Sequence, residues 1–355
     1  MTRTFDNSAA LQEAVISAGA QSRPLNLTGG NSKRFYGGEI QGAPLEIGSH
    51  CGVVNYEPKE LVLTARAGTP LNEIEAVLAQ QKQMLAFEPP HFGSEATLGG
   101  TIACGLSGPR RPYAGSARDF VLGVRIINGS GAILRFGGEV MKNVAGYDVS
   151  RLMCGSMGTL GILLDISLKV LPIPESEITL VQERSPAEAV SAVNGWAGRP
   201  LPITAACYDG LKLYLRLSGE PEAIAAGKNL VGGSEAPGNN RIWSDIREHR
   251  HAFFRSGQPL WRLSLPPQTA PLELPGKQLI DWGGAQRWLL SDAPAAIIRK
   301  TAEAHGGHAT LFRNAANRNE VFHPLTGSLN PLHLRIKRAF DPKAIFNPGR
   351  LYPDF

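Results

Sequence analysis

The stretch PPHFGSEATLGGTIACGLSGPRRPYAGSARD, residues 89–119, decides how the rest of the chain is interpreted. It joins a proline pair, a glycine pair and a run of small residues to Arg110 and Asp119. Glycine has no Cβ, so its backbone can pass close to another molecule. Successive free backbone N–H groups can hold a phosphate or a polarised ring. The alternative is a long surface loop, but such a loop in a compact domain usually has a function. The stretch therefore predicts a cradle for a large flat cofactor.

A second glycine-rich stretch, PLNLTGGNSKRFYGG at residues 24–38, supports this interpretation. Leu25 and Leu27 form a short alternating run that leads into TGGNS (28–32). This pattern is typical of a strand that ends in an anion-binding turn, whose amides could bind a pyrophosphate. The chain has no P-loop motif and no G-x-G-x-x-G fingerprint at the start of a helix, which disfavours both of those nucleotide sites.

Five motifs, in this order along the chain, resemble the FAD-binding domain of the vanillyl-alcohol oxidase/p-cresol methylhydroxylase (PCMH) superfamily. The Lys-Asn-x-x-Gly-Tyr-Asp segment and the Asp-Pro…Asn-Pro-Gly ending are similar to its D-lactate dehydrogenase/glycolate oxidase branch. Within that branch the chain most resembles the smaller of the flavin-binding subunits of bacterial glycolate oxidases. The motifs are TGGNSKRFYG (28–37), ATLGGTIACGLSGPRR (96–111), MKNVAGYDVSRL (141–152), GSMGTLGILLDISLKVLP (155–172) and KRAFDPKAIFNPGRLY (337–352).

The resemblance implies an α+β fold in three parts. A two-subdomain PCMH-type FAD-binding domain would span residues 1–172, and an α+β cap domain, an antiparallel sheet with helices, would span residues 173–330. A C-terminal segment, residues 331–355, would pack back on the FAD domain. The sequence agrees with a division into domains, because a chain of 355 residues is long for one hydrophobic core. Pro172 and Pro174 interrupt regular structure and indicate a domain boundary. The order strand, helix, strand, strand, helix that follows is typical of an antiparallel sheet with helices on one face.

Hydrophobic periodicity predicts the individual elements. A helix is expected at residues 7–19. Strands 120–128 and 132–136 flank a Gly-Ser-Gly turn and predict a hairpin. A long strand is expected at 159–171, and we interpret residues 241–254 as one helix.

The requirements of FAD and the resemblance together select the cofactor-binding candidates. Backbone N–H groups after the first glycine pair could bind the pyrophosphate, and the proline pair with the turn Thr97–Gly100 could line a channel for the flavin ring. The resemblance places Gly161 and Ile162 at the adenine end. The candidate cofactor-binding residues are Gly29, Gly30, Asn31, Ser32, Lys33, Pro89, Pro90, Thr97, Gly99, Gly100, Gly108, Arg110, Gly161 and Ile162.

Two further expectations concern the flavin itself. Negative charge builds up near N1 of the ring on reduction, and a cation there raises the reduction potential. Lys142, Arg350 or Arg110 could supply that charge. Relatives with covalently bound flavin often carry a histidine after the first glycine pair, where this chain has Asn31. The resemblance therefore implies non-covalent FAD.

Oxidation of a 2-hydroxy acid needs a carboxylate clamp, usually arginine, and a base, usually histidine. Catalytic relatives carry two histidine-rich motifs linked with a divalent metal. This chain departs from them, with HGGH (305–308) and EVFH (320–323), and no carboxylate completes a metal shell, so we expect no metal. Each candidate could equally be a hydrogen-bonded or solvated structural residue. The catalytic candidates are Arg262, with Arg313 as an alternative clamp, His308 and His323.

Composition narrows the functional class. The 36 basic and 31 acidic residues give a net charge of only +5, which is too mild to indicate nucleic-acid binding. The four cysteines lie far apart without a C-x-x-C, which disfavours an iron–sulfur cluster and is typical of reduced cytosolic thiols. The N-terminus lacks a signal-like apolar core. We therefore expect a cytoplasmic protein that contacts the inner membrane, if at all, through partner subunits.

Three hypotheses follow. The first is an FAD subunit of a glycolate oxidase-like complex, which would pass electrons from a 2-hydroxy acid to an iron–sulfur (F-like) subunit beside a second flavin (D-like) subunit. The second is a self-sufficient FAD-dependent 2-hydroxy-acid dehydrogenase of the D-lactate type. The third is an assembly subunit that has lost its flavin. A cell-wall nucleotide-sugar reductase is disfavoured, because that family shares only the flavin loops.

Overall fold

The computed structural model describes residues 4–138, 148–238, 240–316 and 318–355. The candidate cation Lys142 and most of the motif at 141–152 therefore lie outside the described residues.

The first part of the chain is built on a five-stranded antiparallel sheet with the strand order β3-β4-β8-β6-β7. The central strand β8 is buried along most of its length and forms a core with helix α2, whose Leu71, Ile74 and Leu78 face inward. The elements are α1 (Ser8–Ala20), β1 (Leu25–Thr28), β2 (Ala43–Glu46), β3 (Val53–Glu57), β4 (Val62–Arg66), α2 (Leu71–Gln80), β5 (Gln83–Met84), α3 (Leu98–Cys104), α4 (Arg111–Ala114), α5 (Ala117–Phe120), β6 (Val121–Ile127), β7 (Ile133–Gly137), α6 (Val149–Met153), β8 (Ile162–Lys169) and β9 (Leu171–Pro172).

The second part contains an eight-stranded antiparallel sheet with the order β13-β10-β12-β11-β15-β16-β14-β17. Its elements, with the last helix of the chain, are β10 (Ser176–Glu183), α7 (Pro186–Ala197), β11 (Ile203–Tyr208), β12 (Lys212–Gly219), α8 (Pro221–Val231), β13 (Ser234–Glu235), α9 (Arg241–Arg247), β14 (Leu260–Ser264), β15 (Lys277–Asp281), β16 (Gln286–Leu290), α10 (Ala295–Ala304), β17 (His308–Arg313) and α11 (Leu329–Phe340).

The two faces of the eight-stranded sheet have different partners. Helices α7, α8 and α10 pack on one face. The other face contributes Trp288 and Phe312 to a cluster that also contains Tyr36, Leu106 and Met157 from the first part of the chain. The second sheet is thus a layer between its helices and the N-terminal domain.

The predicted α+β class is confirmed, with two local differences. The expected helix at 241–254 ends at Arg247, because His249 takes a left-handed backbone (φ +54°) that breaks the helical path. The expected turn at Thr97–Gly100 instead begins helix α3, and the Thr97 hydroxyl caps it by accepting a hydrogen bond from Gly100 N at 3.3 Å. The change of sheet falls between residues 172 and 176; the exact domain limits stay a prediction.

Four charged side chains join the second sheet to loops of the first domain. Arg110 pairs with Glu88 at 3.2 Å and with Glu177 at 2.9 Å, and Arg216 pairs with the same two carboxylates at 2.8 and 3.6 Å. Arg216 is only 3% exposed. A buried charge that loses its partner is costly, so this network fixes the position of the second sheet on the first domain.

The C-terminal segment returns to the N-terminal core, as the resemblance implied. Leu25 N donates to Ile345 O at 2.7 Å, so the segment runs beside β1. The buried Lys337 ammonium is held by Asp341, 2.7 Å away, and by the carbonyl of Thr159, 2.8 Å away. The end of the chain is therefore part of the first domain.

In the ranges that the structure describes, none of the helices combines the length and the apolar character needed to cross a membrane.

We expect Arg216→Met to lower the free energy of unfolding by about 3–5 kcal/mol, because it leaves two carboxylates with one arginine. The measurement is the urea midpoint. Arg241→Met is the matched control, since Arg241 pairs with Asp245 while its side chain is 80% exposed, and it should cost about 1 kcal/mol or less. Equal midpoints for the two variants would contradict this role of the network.

Candidate cofactor-binding site

A cleft of about 900 Å³, including space open to solvent, lies within the first domain. The loop after β1, the start of α3, the segment 157–163 and the C-terminal segment form its walls. The predicted residues that line it are Gly29, Gly30, Asn31, Ser32, Lys33, Thr97, Gly99, Gly100, Gly161 and Ile162, together with Arg350.

The two glycine-rich loops contact each other directly. A Cβ on Gly30 would lie 1.4 Å from the Glu95 carbonyl oxygen, and a Cβ on Gly29 would lie 2.7 Å from the Thr97 hydroxyl. These glycines are therefore required by the approach of one loop to the other. The sequence interpretation assigns them to the approach of a ligand, whereas the structure shows a protein contact that shapes the cleft.

The loop after β1 offers a run of free donors. Among the described residues, none accepts a hydrogen bond from the backbone N–H groups of residues 29–33, although all five residues line the cleft. Asn31 adopts a left-handed backbone with φ +55°, a conformation that asparagine tolerates better than most residues. Unpaired backbone amides in a concave turn are a binding site for anionic oxygens.

Two buried cations flank these amides. The Lys33 ammonium contacts the His91 carbonyl at 3.2 Å, and the Arg350 guanidinium donates to the carbonyls of Gly38 and Lys33 at 3.0 and 3.2 Å. Burial lowers the pKa of Lys33, and burial lowers the pKa of Arg350 to about 10. Neither cation forms an ion pair with a carboxylate in the parts of the chain that the structure describes. Buried charge without an anion is unfavourable, so the cleft suits an anionic ligand.

Asn347 holds the two walls of the cleft together. Its side-chain oxygen accepts a hydrogen bond from Leu27 N at 2.7 Å, and its amide nitrogen donates to Met157 O at 2.8 Å. The residue is buried and belongs to the Asn-Pro-Gly motif. The C-terminal segment thus positions the loop that carries the free amides.

These features fit the diphosphate of a dinucleotide flavin, and comparison with known proteins identifies the family. A family model described as an FAD binding domain matches residues 2–137. Glycolate oxidase subunit GlcE of Escherichia coli strain K12 is 51% identical over 354 residues, covering 100% of this chain and 100% of that protein. The chain belongs to the GlcE family of glycolate oxidase subunits. The cofactor of this GlcE family member is FAD.

More distant relatives share parts of this GlcE family chain. Glycolate oxidase subunit GlcD of Bacillus subtilis strain 168 is 34% identical over 145 residues, which are 40% of this chain and 31% of GlcD. A solved alkyldihydroxyacetonephosphate synthase has a TM-score of 0.66 at 17% identity, covering 95% of this chain and 74% of that chain. That likeness concerns the fold, and it agrees with the PCMH-type prediction.

A second, smaller cavity lies where the eight-stranded sheet faces the first domain. Its volume is about 340 Å³, including space open to solvent. The segment 104–108 separates it from the FAD cleft, since Cys104 lines the cleft while Leu106 and Gly108 line this cavity. The predicted clamp Arg262 lies here, together with Pro90.

The remaining predicted residues lie elsewhere. Arg110 is engaged in the ion-pair network with Glu88 and Glu177, and Pro89 is buried without lining either cavity. His308 and His323 have ring centres 6.2 Å apart but line neither cavity, and His323 Nε2 lies 2.9 Å from the Glu303 carboxylate. The roles assigned to these residues stay predictions. In the described ranges, no group of three His, Cys, Asp or Glu side chains is arranged to hold a metal ion.

The sequence interpretation did not identify three residues that the structure places at the two cavities. Asn347 could have been found, because it lies within the quoted Asn-Pro-Gly motif. His249 and Asp281 line the second cavity, and neither belongs to a recognisable motif. His249 depends on the unforeseen end of α9, and Asp281 depends on strand pairing across the second sheet.

Asp281 is a buried carboxyl beside this cavity. It is 2% exposed, and burial raises its pKa to about 7. Two hydrogen bonds oppose the shift: Trp282 N donates to it at 2.8 Å and the Gln286 amide at 3.3 Å. The group therefore exchanges its proton near neutral pH in the folded protein.

We expect Gly30→Ala to abolish FAD binding, because the new Cβ would overlap the Glu95 carbonyl and separate the two loops. The measurement is the ratio of flavin to protein absorbance after purification. Gly195→Ala is the matched control, since a Cβ at this exposed position of α7 meets nothing within 4 Å. Wild-type flavin content in Gly30→Ala would overturn the role of the loop contact.

We expect Asp281→Asn to remove a pH dependence of stability. The pKa of this carboxyl is about 3.9 in the unfolded chain and about 7 in the folded protein. Its contribution to the free energy of unfolding is therefore fully present below about pH 3.9 and is lost as the pH rises through about 7. Relative to Asp281→Asn, the free energy of unfolding of the wild type should thus fall by up to about 4 kcal/mol between about pH 3.9 and pH 7. Melting temperatures at pH 5 and pH 8 test this, with Asp292→Asn as an exposed control. If the melting temperatures of the wild type and Asp281→Asn differ by the same amount at both pH values, the prediction is wrong.

Proposed function

We propose that this chain is the small FAD subunit of a complex that oxidises glycolate, or a related 2-hydroxy acid, to the 2-oxo acid. The observation that carries the proposal is the full-length identity to GlcE, combined with a cleft whose free amides and unpaired cations suit FAD. Bound FAD supplies a two-electron acceptor. The chain's own residues bind the cofactor, since the loop at 29–33 offers donors and Lys33 and Arg350 offer positive charge.

The proposal includes two partners. A D-like subunit is the second flavoprotein, and the similarity to GlcD over 145 residues supports a common flavin fold. An F-like iron–sulfur subunit accepts the electrons, because the four cysteines of this chain have no cluster spacing. We place the complex in the cytoplasm, with any contact to the inner membrane made through the partner subunits.

A second candidate is a self-sufficient FAD-dependent dehydrogenase. The observation that favours it is the second cavity, in which Arg262 and His249 stand beside the segment that also borders the FAD cleft. An arginine and a histidine are the residue types that hold and deprotonate a hydroxy acid. The flavin-free assembly subunit is disfavoured by the unpaired buried cations of the cleft.

The deciding experiment is an anaerobic absorbance spectrum of the purified chain before and after addition of glycolate. We expect a flavin band that is reduced once the D-like and F-like subunits are present. Reduction of the chain alone would favour the self-sufficient dehydrogenase. A flavin band that glycolate does not reduce even in the assembled complex would contradict the proposed reaction. The complex with Gly30→Ala is the control that lacks the flavin of this chain and keeps that of the D-like subunit.

A further inference from the structure

The second cavity is built on one face of the eight-stranded sheet. Arg262 on β14 lies directly opposite Trp288 on β16, and Gln286 is two residues along the same strand. Residues directly opposite in antiparallel strands, and those two positions away, project to the same face of a sheet. Phe312 on β17 joins them. These four residues therefore present one cation, one amide and two aromatic rings to the first domain.

Arg262 is a cation without an anionic partner. Its Nε donates to the Gln286 side-chain oxygen at 2.7 Å, and its guanidinium lies 5.2 Å from the centre of the Trp282 ring. In the described part of the chain no carboxylate lies within ion-pair distance of it, because Gln286 stands between Arg262 and Asp281. Its side chain also has a hydrogen bond to the buried Tyr36 hydroxyl, and its planar guanidinium has the shape that matches a carboxylate.

His249 lines the same cavity in an unusual setting. Its backbone is left-handed, with φ +54°. Its ring stacks on Phe254 with centres 3.9 Å apart and meets the edge of Trp288 at 4.6 Å. Its Nδ1 is fully enclosed and has no hydrogen-bond partner among the described residues. Burial lowers the pKa of His249 well below its usual value, so the ring is neutral and can accept a hydrogen bond.

We propose that this cavity binds a small 2-hydroxy carboxylate, with the carboxylate on Arg262 and the hydroxyl hydrogen-bonded to His249. The inference rests on the proposed function and deepens it by naming His249 as the partner of the hydroxyl, a role for which His308 and His323 lie outside the cavity. Pro90, Phe92 and Phe312 form the apolar walls of the cavity.

The test is calorimetric titration of the holo-protein with its flavin photoreduced under anaerobic conditions, so that bound substrate cannot be oxidised. Three probes separate the two contacts: glycolate carries both groups, acetate lacks the hydroxyl and glycolamide lacks the carboxylate. We expect glycolate to bind about 3- to 10-fold more tightly than acetate, and glycolamide to bind at least about 10-fold more weakly than glycolate. These comparisons use the wild-type protein and need no variant.

Two substitutions assign the contacts to residues. Arg262→Gln should weaken glycolate and acetate alike by about 10- to 100-fold, and Arg262→Lys should restore part of the loss. His249→Phe keeps the stack on Phe254 and should make glycolate and acetate bind equally. Arg241→Gln is the exposed control and should bind as the wild type does.

The proposal is overturned if glycolate does not bind the wild type, if acetate binds as tightly as glycolate, or if Arg262→Gln binds like the control. It is also overturned if His249→Phe keeps the preference for glycolate. These outcomes differ from failure of the proposed function, which appears as a flavin that the assembled complex cannot reduce.

Discussion

The contact between the two glycine-rich loops is the constraint on which the rest of the structure depends. The Glu95 carbonyl occupies the space that any side chain at residue 30 would need. One loop follows β1 of the small parallel pair, and the other leads into α3 on the five-stranded sheet. Their contact sets the width of the cleft and leaves a run of backbone amides without protein partners. A substitution larger than glycine would therefore change the shape of the cofactor site before it touched the cofactor.

The end of the chain is the second element of that site. Asn347 bonds to Leu27, 320 residues away in sequence, and Arg350 holds the carbonyls of the same loop. The buried Lys337–Asp341 pair fixes α11 on the first domain. Because the amide-bearing loop is held by the C-terminal segment, the cofactor site is complete only when that segment packs on the first domain.

The sequence predicted site residues correctly where the function requires those residues to be close together in the chain. The first glycine loop, the second glycine loop and the C-terminal motif each bring their residues to the FAD cleft, since backbone donors and glycines must be close together in sequence to act. The second cavity could not be predicted in this way. Arg262, Asp281 and His249 meet only through strand pairing and through the early end of α9, which a left-handed residue produces. Arg110 shows the same limit, because its partner Glu88 lies outside the strands of the first domain and its partner Glu177 lies on β10.

The most direct test of the cofactor site is the flavin content of the chain purified alone, measured by absorbance and followed by acid precipitation. We expect a flavin band corresponding to one FAD per chain, with the flavin released into the acid supernatant, because the loop carries Asn31 where covalent relatives carry histidine. A folded, colourless protein that takes up no added FAD would contradict the central claim. Flavin that remains with the precipitate would contradict the non-covalent mode of binding.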